Sequence, residues 1–83
     1  KDSEEKMQLR LLNVMIVPGS AAVGKKLGEL DLEGFLVEVP AVRRRNVREL
    51  LPDKETRLET GDVLVLRGIQ ENLAAAEIRL LQG

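Results

Sequence analysis

The chain has 83 residues, 13 of them basic and 14 acidic, for a net charge of −1; 43% are apolar, only one is aromatic, and there is no cysteine or histidine. A chain this short makes one domain that buries only roughly 60% of the surface it exposes when unfolded, so aliphatic side chains must build a thin core and oligomerisation is expected. Balanced charge removes any global field for nucleic acid or an anionic membrane, and the missing His and Cys remove the usual zinc, haem and iron–sulfur ligands together with thiol and Ser-His-Asp chemistry.

The amino end, "KDSEEK", is charged and starts with Lys rather than Met, which suggests a piece of a longer polypeptide: residues 1 to 8 read as a linker remnant and 9 to 83 as the domain. No apolar run approaches the ~20 residues that cross a bilayer, so this segment reads as soluble. "LRLLNVMIV", residues 9 to 17, is a strand ended by Pro18-Gly19. One face carries Leu9, Leu11, Asn13, Met15 and Val17, the other Arg10, Leu12, Val14 and Ile16. A strand apolar on both sides needs two covers, and so few residues can hardly supply both, which argues for a partner subunit on one face.

In "GKKLGELDL", residues 24 to 32, the spacing of Val23, Leu27 and Leu30 predicts a short amphipathic helix of two turns at most, weakened by Gly28. "FLVEVPAVRRR", residues 35 to 45, alternates as a half-buried strand with Phe35, Val37, Val39 and Ala41 inward and Glu38 and Pro40 opposite. Pro40 donates no hydrogen bond and marks an edge or a bulge. Arg45-Asn46 turns the chain into "VRELL", residues 47 to 51, as a hairpin, with Asn46 tolerating positive φ. A polar loop anchored by Leu58 leads to "DVLVLR", a central strand, and "NLAAAEIRLLQ", residues 72 to 82, is a helix. The fold class is α+β, a small single domain in β-α-β-β-β-α order with a mainly antiparallel sheet and two helices, dimeric.

Three groups invite a chemical reading. "GSAAVGKK", residues 19 to 26, is most of a Gly-x4-Gly-Lys phosphate loop, but Lys26 stands where a Mg²⁺-binding hydroxyl belongs, and the chain lacks room for the large parallel sheet of such enzymes. It reads instead as a turn into a short helix. "RRRNVR" gathers Arg43, Arg44, Arg45 and Arg48. Fork-shaped guanidiniums suit phosphate or carboxylate, and alternation puts Arg43 and Arg45 on one face; the competing reading is a solvated hairpin tip, and no aromatic accompanies them as nucleic-acid binding would want. The carboxylates Asp31, Glu33, Asp53, Glu55, Glu59 and Asp62 show no EF-hand spacing. In "LETGD", Gly61-Asp62 reads as a structural turn whose Asp side chain bonds local N–H groups, at a cost on loss of about 1 kcal/mol.

"PGSAAVGKKLGELDL", the strand ending in "RRR" and "TRLETGDVLVLRG" before a terminal helix together resemble the C-terminal subdomain of the regulator-of-potassium-conductance family, TrkA-C, over about residues 9 to 82. The match is carried by Gly24, Lys25, Leu27, Glu29 and Leu30, and by Leu58, Gly61, Asp62, Leu64 and Gly68. The resemblance implies a dimerising, regulatory and non-catalytic module on the cytoplasmic face of the inner membrane, part of a bacterial potassium channel, uptake system or cation/proton antiporter, with the wording of "TRLETGDVLVLRG" nearest to Kef-type antiporter tails. It implies a homodimer, contact with the membrane-embedded or nucleotide-binding part of the parent transporter, and a small ligand near the dimer interface, a cyclic dinucleotide in some relatives and a divalent cation in others. The residues themselves argue against nucleic acid and offer Arg43, Arg45 and Arg48 as candidates for an anionic ligand such as a cyclic dinucleotide. No cofactor, catalytic residue or metal ligand is assigned. The alternative is a purely structural oligomerisation module.

Overall fold

A computed structural model describes residues 7–45 and 48–83. In chain order it contains β1 (Arg10–Met15), two 3-10 turns (Leu27–Leu30 and Leu32–Phe35), β2 (Glu38–Arg44), β3 (Arg48–Leu50), β4 (Val63–Gly68) and one helix, α1 (Gln70–Gln82). The strands make a single antiparallel sheet in the order β1-β4-β2-β3. Alternation sends Val14, Ile16, Val42, Leu64 and Leu66 to one face, where Leu73, Ala76 and Leu80 of α1 cover them with Leu30, Leu32 and Leu58. This is an α+β domain of two layers, sheet and helix, with the second sheet face bare among the described residues. Gly83 ends α1 at φ 94, its N–H donating back to the Ile78 and Arg79 carbonyls, a conformation that glycine adopts without steric cost.

The helix expected over residues 24 to 32 is not α-helical. Two 3-10 turns replace it, separated by Asp31 in the left-handed region at φ 50. The cause is lateral hydrogen bonding: the Leu27 and Gly28 N–H groups donate across to the Thr56 and Lys54 carbonyls at 2.8 and 3.0 Å. A Cβ on Gly28 would lie 3.0 Å from Lys54 Cβ, so this approach requires the glycine that helical periodicity alone treats as a weakness.

The second strand starts later than expected, at Glu38, and Phe35 ends the preceding 3-10 turn. A register shift between Glu38 and Ala41, at Pro40, inserts one extra residue against β4. Alternation therefore changes phase: Val37 is buried before the shift, Val42 after it, and Ala41 moves to the bare face instead of the core. At the hairpin the positive φ, 60°, belongs to Arg45, while Asn46 lies outside the described residues.

Candidate functional site

The bare face of the sheet has three rows fixed by strand register. The first is Leu11, Arg67 and Glu38; the second Asn13, Val65 and Ala41; the third Met15, Val63, Arg43 and Glu49. Along β1 and its extensions the apolar members stand open to solvent: Leu9, Leu11 and Met15 are 64%, 65% and 54% exposed, and Val17 is also exposed. Ion pairs flank this aliphatic strip at both ends of β2. Arg67 Nη2 lies 2.9 Å from Glu38 Oε1, and Arg43 Nε lies 3.9 Å from Glu49 Oε1. Both pairs are solvated and contribute little to folding; what they do is fix the charge pattern of the face.

The three consecutive arginines diverge. Arg43 points to the bare face; Arg45 is exposed one residue beyond β2, where its left-handed backbone ends strand alternation. Arg48 opens β3, but its side chain lies outside the described residues. Arg44 points to the other side and forms a fork on Asp62, Nε and Nη2 each 2.9 Å from a carboxylate oxygen, with Nη1 3.0 Å from Glu59 and Nη2 also donating to the Arg57 carbonyl. The hydrogen bond to Asp62 raises the Arg44 pKa above its ordinary value against an opposing effect of burial, with the charges of Asp62 and Glu59 adding to the rise. Asp62 is 1% exposed and its second oxygen also accepts the Glu59 N–H at 2.9 Å, while Gly61 turns at φ 92. Besides the turn contact, then, this carboxylate ties the end of β2 to the start of β4. Sequence reasoning missed the link because no spacing rule joins residues 18 apart.

From Ser20 to Lys25 the backbone N–H groups of the Gly-x4-Gly-Lys stretch are engaged within the fold, that of Ser20 with the Val17 carbonyl. Those of Ala21, Ala22, Val23, Gly24 and Lys25 donate to the carbonyls of Leu81, Leu80, Ser20, Leu58 and Ala22. Lys26 Nζ pairs with Glu55 at 2.9 Å. Neither the protein nor its Lys26→Ser variant is expected to hydrolyse ATP or GTP; phosphate release above background from either would refute this assignment.

A cavity of about 410 Å³ lies between the 3-10 turns, the start of β2 and Pro52–Lys54. It opens where β3 pairs with β2 only from Val42 to Arg44, leaving the earlier half of β2 without a strand on that side among the described residues. Its polar lining is Asp31, Glu33, Glu38 and Asp53 against Lys54 and Arg67. None of Arg43, Arg44 and Arg45 reaches it.

Comparison with known proteins agrees with this geometry. The family model of the TrkA-C domain matches residues 11–80. A putative transport protein of Photobacterium profundum is 41% identical over 58 residues, which are 69% of this chain and 10% of that protein, so the chain spans about a tenth of its relative. Among solved structures, the RCK_C domain dimer of S. agalactiae BusR in complex with c-di-AMP superposes at a TM-score of 0.67, 20% identical over 77% of this chain and 86% of that one. The GsuK channel bound to NAD gives 0.70, 24% identical over 83% of this chain and 13% of that one. At these identities the two structures show a shared fold. Among the described residues no helix is long and apolar enough to cross a membrane.

Proposed function

The chain belongs to the TrkA-C domain family, and from that membership we propose that it is a dimer-forming regulatory domain, not a catalytic one, of a larger bacterial protein that transports potassium or another monovalent cation. The observation that carries the reading is the bare aliphatic face of the sheet, with Leu9, Leu11 and Met15 more than half exposed. A contiguous apolar patch on so small a domain marks a contact with protein. The matched relative is a transport protein and the BusR domain is a dimer, which supports the same direction. A place on the cytoplasmic face of the membrane follows from the role, and within it a Kef-type antiporter tail is the narrower form of the proposal.

Ligand sensing is the finer part. An anionic molecule of the cyclic-dinucleotide class, as in the BusR complex, would meet the cations of the hairpin, with Arg45 foremost and Arg43 and Arg48 beside it. The divergence of the consecutive Arg43, Arg44 and Arg45 favours the competing reading of a structural module without a ligand. Light scattering at tens of micromolar is expected to give twice the chain mass, and a monomer would defeat the proposal. Cyclic di-AMP at 100 times its dissociation constant adds about 2.7 kcal/mol to folding if it binds only the native state. No shift in melting on titration to millimolar, together with a dimer, would leave the structural module.

A further inference from the structure

The bare face also contains enough information to orient the two copies. Resting on the dimer reading above, we propose that the second copy packs face to face across a two-fold axis that runs perpendicular to the strands through the Asn13–Val65–Ala41 row, so that Arg43 of each subunit meets the partner subunit's Glu38.

The argument is one of elimination on the register. A two-fold lying in the interface can run along the strands, across them, or on either diagonal. Along the strands, through β4, each row faces itself with β1 exchanged for β2. Leu11 then covers Glu38 and Met15 covers Arg43, placing charge against aliphatic surface on both sides. On one diagonal Arg43 faces Arg43, and on the other Glu38 faces Glu38; both are like-charge contacts of the kind that oppose association. Across the strands, each strand faces itself and the first row faces the third. Leu11 then meets Met15, Glu38 meets Arg43, and the stem of Arg67 lies over Val63. This is the one arrangement that matches apolar with apolar and acid with base at once. The strands of the two sheets run antiparallel, offset by the roughly 30° that sheet twist imposes on aligned sandwiches.

The arrangement also assigns the hairpin. The first and third rows are separated by four residues of strand, about 13 Å, so the two Arg43 side chains lie too far apart to hold one phosphate between them. Arg43 is a dimer contact, and of these two arginines Arg45 is the one left open for an anion.

Charge reversal decides it. Glu38→Arg and Arg43→Glu, each alone, are expected to weaken the dimer by at least about tenfold in sedimentation equilibrium, because each places two like-charge contacts in the seam. The double variant restores both contacts across the axis and is expected to return to within about threefold of the original. Within each subunit the same double change leaves both local pairs, with Arg67 and with Glu49, like-charged. An effect confined to one subunit would therefore be worst in the double variant, and recovery reads the contact between subunits alone. If the unaltered protein is dimeric but the single changes leave its dissociation constant unmoved, or if the double is no better than the singles, this orientation is wrong while the dimer stands; a monomeric unaltered protein would defeat the dimer reading itself.

Discussion

Asp62→Ala is expected to lower the unfolding free energy by about 3 kcal/mol, the range for removing one partner of a buried ion pair. The side chain is 1% exposed, carries both arms of the Arg44 fork and accepts the Glu59 N–H. Its removal leaves the guanidinium with Glu59 as its remaining charge partner and an empty space at the head of β4. Arg44→Met is expected to cost at least as much, since it strands a buried carboxylate without its cation. Small domains sit near the lower end of the usual range of about 5 to 15 kcal/mol of total stability, so either change populates the unfolded state measurably. Urea unfolding followed by far-UV circular dichroism at one fixed protein concentration reads the loss. A value near that of a single turn hydrogen bond, about 1 kcal/mol, for both variants would mean that the residue acts only through its turn.

Leu11→Lys combined with Met15→Lys is expected to abolish the dimer, raising its dissociation constant by at least about a thousandfold. Each subunit loses two aliphatic contacts, worth about 1.5 to 3 kcal/mol apiece when fully buried, and gains two ammonium groups in the seam. Both positions are open to solvent in the single subunit, so its own core does not depend on them. The variant should therefore run at monomer mass in light scattering with its far-UV spectrum intact. A dimer that survived both lysines would show that association uses another surface.

Much of this architecture is legible in the sequence because one local rule applied to each segment. Alternation along residues 9 to 17 separates Val14 and Ile16 from Leu11 and Met15, and the apolar spacing of the last segment yields α1. The misreadings occur where a long-range contact overrides the local pattern. Residues 24 to 32 have a helical period, yet the Lys54 and Thr56 carbonyls take the N–H groups that would begin the helix. Residues 35 to 45 alternate cleanly, but the extra residue at Pro40 changes phase midway, so Ala41, the last of the four inward assignments, inverts while Phe35, Val37 and Val39 still meet the core. The arginine run is visible as composition. That its middle member turns inward to Asp62 depends on where β4 begins, 18 residues on, and no short window contains that information.

Glu38 lines the 410 Å³ cavity and also stands in the first row of the bare face. One carboxylate cannot serve two surfaces independently. Arg67 lines the same cavity, so a molecule that engaged Glu38 there would remove it from the charge pattern offered to a second copy. Linkage then makes the effect reciprocal: whatever factor the occupant imposes on self-association, self-association imposes on the occupant's affinity. On the proposed dimer, the concentration of such an occupant would set the fraction of paired subunits directly, with no hinge or moving lid.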